Sequence, residues 1–420
     1  MTLQGCSMIK EMLVSTALAS FILFSISGVI ILPSSAAGVA VGNAWNYQTI
    51  QGAVTAASPG DTITVSPGTY RENVVVSKPL TIKSSNGATS TIITAANPSN
   101  DVFLLTGTDV RIEGFTITGG SGSSGVKIDN ASRCAVVNNI VYGNIRGVYL
   151  YQATQSEVSS NNLTSNGYGV YFDHASYNTI SNNVAMYERG MPNGSALGDG
   201  IFMANSAYNT VVNNVLSNNH VFGISLWNST NNSIRGNSIN ANEQFGVRLR
   251  QSSDNVLVQN TIAKDAQLGI YIGYASGNVI VLNNFIQEPS AIVNPQNNIL
   301  NSTQKLAYTY NGVAHVSSMG NYYSDYKGAD RDGSGIGDTA YPLGDGFPLV
   351  KPVEQYGAIN AESTPANATR PGGLENSTSH YNDNSQHGSI IAAIPGFAGG
   401  FALVGAALAA LLLVWRARTK

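Results

Sequence analysis

The sequence predicts an all-β fold: a right-handed, single-stranded parallel β-helix in which each coil takes up 22–23 residues. Three observations support this prediction: a glycine that recurs at this spacing, apolar residues that alternate after it, and a low content of charge. Charged residues make up 11% of the 420 residues, whereas an average soluble protein has about 25%. The 21 lysines and arginines and the net charge of −3 provide no field that would attract a nucleic acid.

Seven glycines define the repeat. They are Gly125, Gly147, Gly169, Gly200, Gly223, Gly246 and Gly269. The next residue is always Val or Ile, and the residue two positions further on is always apolar. This alternation is typical of a strand, and no helical pattern separates the strands, so stacked coils are expected. The one longer spacing, 31 residues, comes from an insertion at 186–199.

An asparagine lies fourteen residues after each of these glycines. The set is Asn139, Asn161, Asn183, Asn214, Asn237, Asn260 and Asn283. Asn tolerates a left-handed backbone at a turn, and in stacked coils its amide can hydrogen-bond to the equivalent residue of the next coil. These asparagines are therefore interpreted as structural.

The N-terminal end is expected to direct secretion. Residues 12–32 are apolar, Lys10 precedes them, and small residues follow. Residues 1–37 are therefore predicted to be a signal peptide. The apolar stretch is also long enough to be an uncleaved signal anchor.

The solenoid is predicted over residues 45–300, with a closing segment at 301–353. Near its start, Ile50, Ala53 and Val54 share one face of a helical pattern. An amphipathic helix is therefore predicted there as a cap on the first coil, because terminal coils of a solenoid need covering.

The C-terminal end is expected to tether the protein to a membrane. Residues 354–389 contain few apolar residues and are predicted to be a disordered stalk. Residues 390–415 carry no charge and are predicted to form a transmembrane helix, followed by a basic cytoplasmic tail at 416–420. Everything before the span would then be extracellular. Glycosylation sequons begin at Asn130, Asn162, Asn193, Asn228, Asn231, Asn301, Asn367 and Asn376.

Four parts of the chain resemble known families. The stretch WNYQTIQGAVTAASPGDTITVSPGTYRENVVVSKPLTIKS resembles the opening of many β-helix proteins, and the repeats are similar to the PbH1 repeats of NosD-type and carbohydrate-binding/sugar-hydrolysis (CASH) domains. The stretch MGNYYSDYKGADRDGSGIGDTAYPL looks like the segment that closes archaeal NosD-type surface proteins. Pro395, Gly396 and Phe397 resemble the archaeal PGF-CTERM sorting signal, which implies removal of the span and attachment to lipid. A retained C-terminal anchor is the alternative.

The NosD resemblance implies copper binding. Cu(I) prefers Met and Cys, and Cu(II) prefers His, but no H-x-H, M-x-x-M or C-x-x-C pattern occurs outside the predicted signal. The available donors are Cys134, Met186, Met191, Met203, Met319, His174, His220, His315, His380 and His387. The prediction of copper binding therefore rests on the family name alone.

Cleavage of a polysaccharide would need carboxylates that converge on neighbouring coils. The insertion at 186–199 is the one departure from regular spacing, and insertions leave a solenoid as loops, often on its binding face. The candidate catalytic residues there are Asp173, His174, Glu188, Arg189 and Asp199. A surface loop with ordinary charges is the alternative.

The outer face of the strands predicts a binding surface. If the residues one and three after each glycine point inward, those two and four after it point outward, and this outward set is rich in aromatic rings. The rings would form a flat strip on which sugars stack, unless they pack only on one another. The candidate carbohydrate-binding residues are Tyr149, Tyr151, Tyr171, Phe202, Trp227, Arg248, Arg250 and Tyr271.

A calcium loop is a further candidate. Oxygen-bearing side chains recur two residues apart in the closing segment, as at the start of a calcium loop, but the Glu of an EF-hand is missing. The candidate ligands are Asp330, Asp332, Ser334 and Asp338. A Gly/Asp-rich turn is the alternative.

Together these features favour a membrane-anchored cell-surface protein that is non-catalytic. It is expected to bind a polysaccharide or envelope glycan, or to serve as a rigid spacer in the envelope. The alternatives are a polysaccharide lyase or glycoside hydrolase, and a NosD-type copper-binding protein.

Overall fold

The computed structural model describes residues 38–42, 46–189 and 198–361. In this part of the chain, short strands stack in parallel into three sheets of ten, eleven and eleven strands. Each regular coil contributes one strand to each sheet, in the order sheet A, sheet B, sheet C. The prediction of an all-β parallel solenoid is confirmed; the hand of its winding stays a prediction.

Sheet A holds the long strands, which have six residues in each of the seven regular repeats. Its strands are Val74–Val76, Phe103–Leu105, Ser124–Asp129, Arg146–Tyr151, Tyr168–Asp173, Asp199–Ala204, Phe222–Trp227, Phe245–Arg250, Leu268–Gly273 and Ile292–Val293.

Sheets B and C are built from strands of two to four residues. The strands of sheet B are Gly38–Val41, Thr62–Val65, Thr81–Ser84, Arg111–Glu113, Ala135–Val137, Glu157–Ser159, Thr179–Ser181, Thr210–Val212, Ser233–Arg235, Val256–Val258 and Val279–Val281. Those of sheet C are Gly68–Arg71, Thr91–Thr94, Thr116–Thr118, Ile140–Tyr142, Asn162–Thr164, Val184–Met186, Val215–Ser217, Ser238–Asn240, Thr261–Ala263, Asn284–Ile286 and Tyr322–Tyr323.

One continuous apolar core fills the space between the three sheets. In sheet A, Val148 pairs with Val170 and Leu150 pairs with Phe172 in adjacent coils. All four side chains are fully buried. The residues one and three after each repeat glycine therefore point inward, as the alternation predicts, and each coil buries its apolar set against the coils on either side.

The predicted asparagines form a buried hydrogen-bonded ladder between sheets B and C. Asn161 donates from its backbone N–H and from Nδ2 to Oδ1 of Asn183, both at 2.9 Å. Its Nδ2 also donates to the Val136 carbonyl at 2.8 Å. The same pattern continues to Asn321, whose N–H donates to Asp345 at 2.7 Å. The structural interpretation of these residues is confirmed.

The left-handed backbone conformation belongs to the residue before each ladder asparagine, not to the ladder asparagine itself as predicted. In this turn it is Asn138, Asn182 and Asn213 that have φ of 56–57°. The ladder asparagine itself is not left-handed, because its side chain must turn inward to reach the next coil. The positive φ of the preceding residue makes that turn possible.

Two further ladders that are built mainly from asparagine were not predicted. One, between sheets A and B, comprises Ser156, Asn178, Asn209, Asn232, Asn255, Asn278 and Asn298. The other, between sheets C and A, comprises Asn144, Asn166, Glu188, Asn219, Asn242, Asp265 and Glu288. We call the latter the acid-containing ladder, since three of its seven positions hold a carboxyl group.

The N-terminal coil begins earlier than predicted. Gly38–Val41 pairs with Thr62–Val65 in sheet B, upstream of the predicted start at residue 45. The helix Ile50–Ala56 follows, with Thr49 accepting the Gly52 N–H as its N-cap. Its apolar side chains are buried in the core. Its function as a cap stays a prediction.

The closing segment adds a small antiparallel sheet to the end of the solenoid. Leu306–Tyr310 pairs with Val313–Ser317 on one side and with Tyr356–Ala361 on the other. A 3₁₀-helix, Val353–Gln355, precedes the last strand. The predicted start of the stalk, residue 354, is therefore too early, because the chain forms a strand up to residue 361.

Other predicted boundaries lie outside the described residues. These are the signal segment 1–37, the remainder of the stalk, the apolar span 390–415 and the tail 416–420. Within the ranges that the structure describes, no helix has the length and apolar character needed to cross a membrane.

Candidate functional site

The outer face of sheet A carries three columns of side chains. Those one residue before each repeat glycine are Ser124, Arg146, Tyr168, Asp199, Phe222, Phe245 and Leu268. Those two after it are Lys127, Tyr149, Tyr171, Phe202, Ser225, Arg248 and Tyr271. The third column is formed by the residues four positions after each repeat glycine, which are Asp129, Tyr151, Asp173, Ala204, Trp227, Arg250 and Gly273. We call these three columns the outer face of sheet A.

The predicted strip of rings lies on this face, but it is not flat. The rings of Tyr171 and Phe202 stack with centroids 5.1 Å apart and an interplanar angle of 28°. Tyr149 meets Tyr171 edge to face at 5.2 Å. At one coil spacing, about 4.8 Å, rings cannot lie side by side in one plane, so they cover part of one another. Phe202 is 7% exposed, whereas Trp227 is 48% exposed.

The column before each glycine was missed by the sequence analysis. Tyr168 packs on Tyr171 and Phe202, at 5.0 and 5.5 Å between ring centroids. Simple alternation places this position inside, but the chain bends at the glycine. A Cβ on Gly147 would lie 2.6 Å from the Gly169 carbonyl oxygen, so only glycine fits there. The bend turns the preceding residue outward. The sequence signal that could have predicted this column is the break in the alternation at each repeat glycine.

Three arginines on the outer face pack against rings. The Arg146 guanidinium lies 4.6 Å from the ring centroid of Tyr149 and 4.9 Å from that of Tyr171. Its Nε is buried without a hydrogen-bond partner. Arg248 lies 4.4 Å from the Phe222 ring. Arg250 lies 5.7 Å from the Trp227 ring. In the described residues, none of these arginines has a carboxylate within ion-pair distance.

Asp199 is the one deeply buried acid of this face. It is 3% exposed and accepts the Phe222 N–H at 3.3 Å. Burial raises the pKa of Asp199 to about 7, although Arg248 opposes the shift. Burial also lowers the pKa of Arg248. Asp199 is therefore a carboxyl group that can hold or release a proton near neutral pH.

The candidate catalytic residues do not converge. Tyr168 pairs with Asp199 at one end of two neighbouring strands, and Asp173 pairs with Ala204 at the other end. Five residues of extended strand, about 16 Å, therefore separate Asp173 from Asp199. His174 lies with Asp173, its Nδ1 2.6 Å from Oδ1 of that carboxyl group.

Glu188 is turned away from the outer face. It is fully buried as a member of the acid-containing ladder, where Oε2 accepts the Asn166 N–H at 2.5 Å. Burial raises its pKa well above the usual value. The neighbouring Arg189 donates its backbone N–H to the Asn166 carbonyl and its side chain is exposed. Glu188 therefore lies in the interior as a ladder residue, whereas Asp173 and Asp199 lie at opposite strand ends of the outer face, and a catalytic role for these residues stays a prediction.

The candidate calcium ligands are engaged by their own loop. Asp330 accepts the backbone N–H groups of Ser334 and Gly335, at 3.0 and 2.9 Å. Asp332 accepts the Ser334 N–H at 3.0 Å, and Asp338 accepts a backbone N–H at 3.2 Å. No group of three or more His, Cys, Asp or Glu in the described ranges is placed to hold a metal ion. The calcium site stays a prediction.

The fold and this face define a parallel β-solenoid protein with an open outer surface that combines aromatic rings and arginines. The chain belongs to the NosD family: the model of that family, described as periplasmic copper-binding protein (NosD), matches residues 54–197 and 192–328. The resemblance noted in the repeats is thereby confirmed.

A curated relative and several solved structures are similar to parts of the chain. A cell surface glycoprotein of Methanothermus fervidus is 38% identical over 82 residues, which is 20% of this chain and 13% of that protein. The tailspike protein of Dettilon is 18% identical, with a TM-score of 0.48, over 54% of this chain and 49% of its own. The mannuronan C-5 epimerase AlgE6 A-module of Azotobacter vinelandii is 14% identical, with a TM-score of 0.43, over 60% and 92%. Structural similarity at this level carries no inference about activity.

The described residues do not fit a copper site. Cys134 is buried and its Sγ donates to the Gly107 carbonyl, and Met203 and Met319 are fully buried in two separate apolar clusters. Each described histidine has a different neighbour: His220 contacts Glu243 at 2.7 Å, His174 contacts Asp173 at 2.6 Å, and His315 stacks on Tyr308. Met186 lies on the outside of sheet C. Met191, His380 and His387 lie outside the described residues.

Proposed function

We propose that this chain is an extracellular surface protein that binds a polysaccharide or envelope glycan on the outer face of sheet A without modifying it. The observation that carries the proposal is the run of rings on that face, from Tyr149 to Tyr271, across six neighbouring strands. Aromatic faces and edges of this kind suit the apolar C–H surfaces of sugars. A series of weak contacts along one polymer adds up to useful avidity.

The extracellular location is supported by the names of the relatives. The family description is periplasmic and the curated relative is a cell surface glycoprotein, although the match spans only 13% of that protein. The sequon residues Asn130, Asn162 and Asn228 are exposed, unlike the buried asparagines of the ladders, so they are accessible to glycosylation. Anchoring through residues 390–415, or through a lipid after sorting, rests on the sequence resemblance alone.

Binding can be tested with the full chain on immobilised polysaccharides. Trp227→Ala removes the most exposed ring of the face. We expect its affinity to fall about 2- to 10-fold, since one ring contact contributes about 0.5–1.5 kcal/mol. Tyr142→Ala is the matched control, because Tyr142 is similarly exposed, at 40% against 48%, but lies in sheet C. Equal binding by the Trp227 variant and the parent would favour the spacer function instead.

A polysaccharide lyase or hydrolase is the second candidate. The observation that favours it is Asp199, a carboxyl group with a pKa of about 7 at the edge of the ring surface, since catalytic acids and bases often have such shifted values. If the chain shortens a bound polysaccharide and Asp199→Asn abolishes the cleavage while binding persists, the enzyme function is correct. Binding without any change in polymer length supports the non-catalytic proposal.

A further inference from the structure

We infer that the ligand of this face is an anionic polysaccharide, one that carries carboxylate or sulfate groups. The inference rests on the proposed binding function and specifies the chemistry of the polymer. It is carried by the three arginines Arg146, Arg248 and Arg250, which are held in place by rings rather than by acids.

A guanidinium that packs on a ring keeps its in-plane N–H donors available. Each guanidinium has five such donors, in a planar arrangement that matches the two oxygens of a carboxylate or sulfate. Among the described residues, Arg248 uses only Nε, which donates to Ser225 Oγ at 3.0 Å. The side chains of Arg146 and Arg250 donate no hydrogen bond to any described residue, and only the Arg146 Nε is too deeply buried to reach a ligand. Such unused donors on a face otherwise rich in contacts point to an acceptor that the chain itself does not provide.

Two of the three acids of this face, Asp129 and Asp173, are engaged by other side chains. Asp129 pairs with Lys127 at 2.8 Å. Asp173 contacts His174 and accepts the Tyr149 hydroxyl at 3.3 Å. Asp199 has a pKa of about 7, so its negative charge is partly suppressed near neutral pH. The arginines therefore leave this face with an excess of positive charge, although the whole chain has a net charge of −3.

The spacing of the arginines suits an extended polymer. Arg146 and Arg248 lie on strands that are four steps apart in sheet A, about 19 Å along the solenoid. Tyr171 and Phe202 occupy the strands between them. A chain that lies along this face would place its sugar rings on the aromatic span and its anionic groups against the guanidinium groups at either end.

Polygalacturonate and its methyl ester are suitable probes, because they share one backbone and differ in charge. Dextran sulfate and dextran form a second pair, which distinguishes sulfate from carboxylate. We expect the full chain to bind at least one anionic polymer, with an affinity that falls as salt is raised, and to bind its neutral counterpart at least tenfold more weakly.

Arg146→Gln and the more exposed Arg250→Gln should each weaken binding of the anionic polymer about tenfold while leaving the circular dichroism spectrum unchanged. Arg235→Gln is the control, because Arg235 lies in sheet B. If neutral and anionic polymers bind equally and the arginine variants bind like the parent, the inference is wrong and the proposed function stands. If no polymer of either kind binds, both are wrong.

Discussion

Replacement of Asp265 by Asn is expected to stabilise the protein at pH 8 and to have little effect at pH 4. Asp265 is 1% exposed and belongs to the acid-containing ladder. Its Oδ1 accepts the backbone N–H and the Nδ2 of Asn242, both at 2.8 Å, whereas its Oδ2 has no partner. Oδ2 occupies the position that the Nδ2 donor occupies in an asparagine of this ladder. The equivalent repeat glycines show this, because a Cβ on Gly223 would lie 2.9 Å from Asn242 Nδ2, and a Cβ on Gly246 would lie 2.5 Å from Asp265 Oδ2.

The size of the effect follows from the pKa of Asp265. Burial raises this pKa from 3.8 to about 7. Because the folded-state pKa lies above the unfolded one, the neutral carboxyl contributes its full stability below pH 4, and this contribution is lost as the pH rises through 7. A shift of about three pKa units corresponds to ~4 kcal/mol. An Asn at this position stays neutral and donates at every pH, so the gain at pH 8 should reach about 2–4 kcal/mol.

The neighbouring acid strengthens the prediction. Glu288 Oε1 accepts the Asp265 N–H at 3.1 Å, and Glu288 Oε2 has no partner. Burial, and then the charge of Asp265, raise the pKa of Glu288 to about 8. With Asn at position 265 this repulsion disappears and an amide donor faces the Glu288 carboxylate, so the pKa of Glu288 should fall.

Urea unfolding of the full chain at pH 4, 6 and 8, followed by circular dichroism, measures the effect. Asp254→Asn is the control, because Asp254 is an exposed acid in a nearby turn, and it should change the free energy of unfolding by less than about 0.5 kcal/mol at each pH. An equal gain at pH 4 and pH 8 would refute the reasoning, and so would a loss of stability at pH 8.

Two further predictions concern the interior. Val170→Asp would bury a charge at a position that is fully buried and should destabilise the fold by about 3–5 kcal/mol; thermal unfolding measures it, and an unchanged midpoint would contradict the inward placement of Val170. Asn183→Leu should cost about 2–4 kcal/mol, because Asn183 donates to Asn214 and accepts from Asn161. Asn182→Gly, at φ 56°, should be neutral or stabilising, and comparable losses for both variants would argue against the ladder.

The fold could be predicted from the sequence because its repeat is local and regular. Three residue types recur at fixed positions in each coil, and each has one physical reason. Glycine allows neighbouring backbones to approach closely, Val or Ile fills a core position, and Asn forms a ladder. The two other ladders lie nine and nineteen residues after the repeat glycine, at Asn178 and Asn166 for example. They were overlooked because Ser, Cys, Asp and Glu replace Asn at several of these positions.

The candidate site was predicted only in part. Alternation identified the outward rings, such as Tyr171 and Trp227, but it could not give the bend at the glycine that brings Tyr168 and Arg146 onto the same face. It also could not distinguish an acid on the surface from one in a ladder. Glu188 was therefore grouped with Asp199, although the two carboxyl groups belong to different environments.

The ladders also give the solenoid a chemical direction along its axis. Along each ladder, the donors reach the side-chain oxygen of the equivalent residue in the next coil, as from Asn161 to Asn183, and the last acceptor of one ladder is the carboxyl group of Asp345, which also accepts the Tyr323 hydroxyl at 3.2 Å. An insertion or deletion within a strand or a ladder turn would put the donors of that coil opposite the wrong atoms, whereas the insertion after Glu188 leaves the ladders continuous, from Asn183 to Asn214 and from Glu188 to Asn219. Duplication or loss of one whole coil would leave every donor facing an acceptor. Length variants of this protein should therefore differ by complete coils or by loops placed as this insertion is, and each added coil would lengthen the outer face of sheet A by one strand.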